Sequence, residues 1–413
     1  MTKAHYETKI SRNFSIAMVW INGGSNMDIE EKKGINQILC SLLTRGCKGF
    51  ENLAFSEYID SHGAELNLET FEDGMIISLK SLDEHFNKLL PLINLIINEP
   101  TLSFKQFQNV KKSTINILKK DRENPFNITF EKWRKIVYLK HPYAFNSSGY
   151  EEDILKITHN DILSEYENFK NRNKYLISNN LRIKNKSFDL LNQNIDQNID
   201  QNKIAHNLES KNYNNNPNLL NRFISTYQKS NQIILMLGNQ TCPISSHEYL
   251  PLKILESHLS YGMSSVLFKL FRERNGLTYE VGVYNPCRKE NSPFLVYFSV
   301  SNKNALLAFE ILSELWRKLL SSSITEKDIS LAKIKLKSSF LISNQTLNEI
   351  LHRKIQYMGY SLDQNYDFIN KINHINSADI LKVTKKYFKK PFLSISGDEK
   401  ICNEINKLWI RNF

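Results

Sequence analysis

The segment GINQILCSLLTRG, residues 34–46, places Gln37, Cys40 and Ser41 at i, i+3 and i+4, which puts all three on one face of a helix. Its apolar residues Ile35, Ile38, Leu39, Leu42 and Leu43 form the face that a core would bury. A polar helix face is where a metal can be held, because ligands at i and i+4 converge on one ion. Glutamine and serine are poor zinc ligands, however, and Cys40 alone cannot make a site. A nucleophilic Cys40 or Cys47 would need a general base, for which His62 is the candidate; otherwise Cys40 is a small helix residue. The ten histidines offer no HxH or HxxxH pair, and the closest two, His247 and His258, are eleven residues apart.

A second constellation is SYGMSSVLFKLFRERNGLTYEVGVYN, residues 260–285. The pattern predicts a helix over Met263–Phe271. Arg272 and Arg274 stand in its last turn, where cations suit the helix dipole. Asn275 and Gly276 end it, and Leu277–Val283 continues as a strand.

The elements that must position these residues fall into two similar halves. Residues 187–220 contain QNIDQNIDQN and too little apolar patterning to form a core, which makes them a linker. On either side the order recurs. A strand, MIISL (75–79), leads to helices near 83–97 and 103–121; FLVYFSV (294–300) leads to helices near 303–320 and 325–343. Downstream, ILKITHNDILSEYENF (154–169) precedes KYLISNNL (174–181), and FINKINHINSADILKVTKKYF (368–388) precedes FLSIS (392–396). Asn160 or Asp161, and Ser377, are the N-cap candidates. The expected fold is α+β: two homologous domains, 1–186 and 221–413, each a mostly antiparallel sheet with helices packed on one face.

Composition narrows the function classes. The 413-residue chain has no apolar run near the roughly 20 residues that span a bilayer, and no signal peptide is evident. Its five cysteines are odd in number and form no CxxC pair, which fits a reducing cytoplasm. The net charge is +11, with clusters KKSTINILKKDR (111–122) and KVTKKYFKK (382–390). Their helical spacing reads as solvated faces, with a basic surface that attracts acidic peptides or an acidic partner as the alternative, and no nucleic-acid-binding motif accompanies them.

The 260–285 pattern resembles the second-domain signature of the insulinase and processing-peptidase family, the inverted-zinc-motif metallopeptidases. The small residues Gly262, Ser264 and Ser265, then Leu-Phe, Arg, and Gly-Leu-x-Tyr carry the likeness. FSIAMVWINGGSNMDIEEKKGI (14–35) and HPYAFNSSGYEEDI (141–154) are similar to first-domain elements of that family. The resemblance implies that Arg272 and Tyr279 reach the substrate at the zinc. A guanidinium and a phenol can hydrogen-bond a scissile carbonyl and its developing oxyanion. The small residues would let their helix pack closely.

The chain departs from the family where zinc is bound. The family uses H-x-x-E-H on the first long helix, with the Glu as general base, and a later Glu as third ligand. Aligned on Gly34, those positions hold Gln37, Cys40 and Ser41, and the later one falls near Asn116–Ile117. No metal site in this chain is expected. The resemblance then implies the non-catalytic subunit of a heterodimeric zinc metallopeptidase. A partner bearing HxxEH would hold the zinc, Arg272 and Tyr279 would act in trans, and the substrate would be a peptide or small unfolded protein. Neither nucleic-acid binding nor membrane insertion is expected. The alternatives are a structural scaffold resembling respiratory-complex core proteins, which has no need of an oxyanion donor pair, and an autonomous peptidase.

Overall fold

The computed structural model of the chain describes residues 3–6, 13–180, 221–363 and 367–413; the linker 187–220 lies outside them. The first half runs β1 (Lys3–Tyr6), β2 (Phe14–Asn22), α1 (Ile35–Leu43), α2 (Asn52–Ser61), β3 (Glu65–Thr70), β4 (Gly74–Leu82), α3 (Asp83–Asn98), α4 (Phe104–Asp121), α5 (Pro125–Tyr138), α6 (Glu151–Lys156), α7 (His159–Lys170) and β5 (Lys174–Ser178). The second runs β6 (Phe223–Tyr227), β7 (Gln232–Gln240), α8 (Tyr249–Ser260), β8 (Val281–Tyr284), β9 (Pro293–Ser301), α9 (Ala305–Ser321), α10 (Glu326–Ser343), α11 (Leu347–Gly359), α12 (Phe368–Asn373), α13 (Ser377–Tyr387), β10 (Phe392–Gly397) and α14 (Glu399–Asn412).

Each half builds a five-stranded sheet, in the orders β1-β5-β2-β4-β3 and β6-β10-β7-β9-β8. The two orders superpose strand for strand, so the repeated pattern in the sequence is a repeated topology. Within each sheet one pair is parallel, β1 with β5 and β6 with β10, and the others are antiparallel. The expected α+β fold with antiparallel-rich sheets is what forms.

In the first sheet, Ala17, Val19 and Ile21 of β2 and Met75, Ile77 and Leu79 of β4 point to one face. They join a core with Ile35, Ile38, Leu39, Leu42 and Leu43 of α1 and the apolar side of α3. The alternate residues Ile16, Met18 and Trp20 are also buried. The run IAMVWI is therefore apolar throughout because both of its faces are covered.

The cover on that second face comes from the other half of the chain. Helix α11 packs on β2 and β5. Trp20 meets Tyr360 edge-to-face at 5.5 Å. A Cβ on Gly359 would come within 2.3 Å of the Trp20 ring, which accounts for glycine there. Reciprocally, α5 packs on β10 and β7 of the second sheet. Thr129 Oγ1 lies 2.6 Å from Ser396 Oγ, Ser394 Oγ donates to the Thr129 carbonyl at 2.9 Å, and Trp133 Nε1 donates to the Phe392 carbonyl at 3.3 Å.

The compact units therefore differ from contiguous halves. One comprises the described residues of Met1–Lys120, Phe145–Asn214 and Asn344–Gln364; the other comprises those of Asp121–Ala144, Asn215–Ser343 and Asn365–Phe413. Two caps also differ from expectation. Thr158 caps α7, with Asp161 at N3 completing a capping box, and Asn376 caps α13 in the same way with Asp379.

Candidate functional site

Helix α1 is set by the loop before it. Gly34 sits at φ +98, which favours glycine, and the buried Asp28 carboxylate accepts from Gly34 N at 2.6 Å and from Asn36 N and Nδ2 at 3.2 and 2.9 Å. Burial raises the Asp28 pKa to about 6, against the opposing effect of those hydrogen bonds.

None of the sequence-predicted zinc positions presents a ligand. The Ser41 hydroxyl donates to the Gln37 carbonyl at 2.9 Å, and Gln37 Nε2 points back to Ser41 Oγ at 3.5 Å, so the two satisfy each other along the helix. Cys40 is 2% exposed and belongs to the core. Burial pushes its thiol up to about 11, so it is neither a thiolate ligand nor a thiolate nucleophile at neutral pH. Ile117 is an exposed apolar side chain on α4. His62 is engaged elsewhere: its Nδ1 lies 2.8 Å from the Tyr58 carbonyl, and its ring packs on Tyr58 and His85. Among the described residues no three His, Cys, Asp or Glu side chains cluster as a metal site requires. The donor set does not fit the zinc that the family pattern implies.

The second constellation is assembled. Arg272 lies on a π-helix, Phe268–Glu273, rather than on the α-helix expected over Met263–Phe271. The wider turn carries the chain into the corner: Leu277 N donates to the Phe271 carbonyl at 2.8 Å, and Asn275 Nδ2 caps Leu270 O at 2.7 Å. Buried Phe271 anchors the corner on Phe298 of β9, with ring centroids 4.9 Å apart. Thr278 ties the return to β9 through the Ser299 carbonyl. The strand begins later than expected, at Val281, which leaves Tyr279 on a bend and 91% exposed.

The Arg272 guanidinium lies 5.1 Å from the centroid of Phe268 and 5.8 Å from that of Tyr279, within cation–π range of both. Phe268 was missed at the sequence level, although its i, i+4 spacing to Arg272 was readable. Arg272 and Tyr279 make no side-chain hydrogen bond or ion pair among the described residues, so both polar groups face outward. The small residues do not act as expected. A Cβ on Gly262 would meet nothing within 4 Å, so glycine serves its φ of +73 rather than close packing; Ser264 is exposed, and only Ser265 is buried.

The lysine clusters are partly structural. Lys111 Nζ donates to the Leu155 and Ile157 carbonyls at the end of α6, and Lys386 pairs with Glu248 at 2.6 Å.

Comparisons with known proteins show the family and the fold. The family model "Insulinase (Peptidase family M16)" matches residues 3–146, and "Peptidase M16 inactive domain" matches residues 183–336. An "uncharacterized zinc protease" of Rickettsia felis is 22% identical over 88% of this chain and 87% of its own length. The "non-peptidase homolog YmxG" of Helicobacter pylori is 18% identical over 87% of this chain and 82% of its own. A crystal structure of a peptidase M16 inactive domain from Pseudomonas fluorescens aligns with a TM-score of 0.81 at 18% identity, covering 96% of this chain and 95% of the other.

Proposed function

Because this chain belongs to the insulinase peptidase family, M16, we propose that it is a zinc-less subunit that completes the active site of a partner chain. The partner is a family member bearing HxxEH, which holds the zinc and the general base. Arg272 and Tyr279 supply hydrogen bonds to the scissile carbonyl of a peptide or small unfolded protein. One observation carries the reading: the Arg272–Tyr279 pair is built and outward-facing, while Gln37, Cys40, Ser41 and Ile117 offer no zinc ligand set. A purely structural subunit has no evident need of a positioned guanidinium–phenol pair. The family model that matches the second half is that of an inactive domain, which supports a chain without peptidase activity of its own.

A reducing cytoplasmic setting fits the five unpaired cysteines. No helix of the described residues is long and apolar enough to cross a membrane.

The test is reconstitution. The purified chain alone should carry no stoichiometric zinc and cleave no peptide, and mixing it with an HxxEH-bearing family member should give an active complex. Zinc near one per chain, or cleavage by the chain alone, would overturn the proposal.

A further inference from the structure

The second unit contains a cavity of about 250 Å³ between the end of α8, the π-helix segment, the end of α9 and the start of α10; Ser264, Val266 and Lys269 of the 260–285 segment line it, while Arg272 and Tyr279 do not. Its floor is aliphatic: Leu315, Leu319 and Ala332 are buried, with half-buried Val266 and Ile324 beside them. Its wall is cationic: Lys269, Lys318 and Lys335 line it together with His258. The three lysines come from three different elements, and none of them has an ion-pair partner among the described residues. Asp328 is the cavity's one carboxylate, and it accepts from Thr325 Oγ1 at 2.7 Å as part of the α10 cap.

Three ammonium groups against the single Asp328 carboxylate leave an excess of positive charge around one apolar depression, and an anion would relieve that cost. Burial first, and then the neighbouring Lys269, hold the Lys335 pKa below the usual lysine range. Phosphate alone would leave the aliphatic floor unused, and an apolar ligand alone would leave the lysines unpaired. The ligand that uses both is a small aliphatic carboxylate, with its tail on Leu315 and Leu319 and its head among the lysines.

We propose that this cavity is a binding site for an aliphatic carboxylate of medium chain length. The inference is independent of the proposed subunit role.

Calorimetric titration of the full chain tests it, with octanoate, inorganic phosphate and octylamine as probes. Octanoate should bind at one site and the other two more weakly by roughly tenfold or more. Lys318→Gln combined with Lys335→Gln should weaken octanoate by at least that factor. Leu331→Glu, on an exposed lining residue, should weaken it without disturbing the core. No octanoate binding, equal binding of phosphate or octylamine, or unchanged octanoate affinity in both variants would overturn the site.

Discussion

The guanidinium of Arg272 stands 5.8 Å from the ring centroid of Tyr279, seven residues on, across a corner formed by a π-helix and a bend. Neither residue is in the core, so their juxtaposition is held from beneath. Phe271 is buried against Phe298, and Thr278 bonds to the backbone of β9. The backbone that carries the pair is thus anchored to the core, while the two side chains stand exposed on the surface.

The thiols report on whether α1 could do cysteine chemistry. Burial pushes Cys40, Cys47, Cys242 and Cys402 each up to about 11. Thiol titration with a disulfide reagent at pH 8 should leave these four unreacted in the native protein, with only the partly exposed Cys287 accessible, and should find all five after denaturation. Fast labelling of Cys40 in the native state would contradict its place in the core.

Asp28 should make stability fall with rising pH. Its pKa is about 6 in the fold against 3.8 as the ordinary value. Below the lower value both folded and unfolded chains hold the proton; between the two only the folded chain does. The contribution is therefore fully present at low pH and lost as pH rises through about 6. Carbon NMR of the carboxyl should titrate near 6. The stability of the wild type relative to Asp28→Asn should drop between pH 4 and 7, by up to about 3 kcal/mol. A difference that grows with pH would show the opposite sign.

The helix exchange predicts that the contiguous second half is not a folding unit. A fragment of residues 221–413 lacks α5, and with it Thr129 and Trp133, both fully buried on the second sheet. Its thermal unfolding should be non-cooperative until residues 121–144 are supplied. In the whole chain Trp133→Ala should cost about 3–5 kcal/mol, measured by denaturant unfolding. Cooperative melting of the bare fragment would refute the exchange as a stabilising feature.

Much of the fold was legible because local periodicity carries it. The apolar stripe of 34–46 is the buried face of α1, and the repeated order of strands and helices became two sheets of one topology. The exchange of α5 and α11 was not legible, because helical spacing says that a face is buried but not against which sheet. The signal was nevertheless present in IAMVWI and IILML, runs too continuous for strands with one solvated face. The Arg272–Tyr279 pair could be singled out from its pattern. The π-turn that brings its members together could not, since it depends on how Phe271 and Leu277 bury in the finished core.

The central claim is best tested in the active complex with an HxxEH-bearing partner, by comparing kcat for the wild type, Arg272→Ala and Tyr279→Phe. Both side chains are exposed, so thermal stability should stay within about 0.5 kcal/mol of wild type. Turnover should fall by roughly 2 to 4 kcal/mol in transition-state stabilisation for each variant. Full turnover in both variants would contradict the account and leave this chain a scaffold.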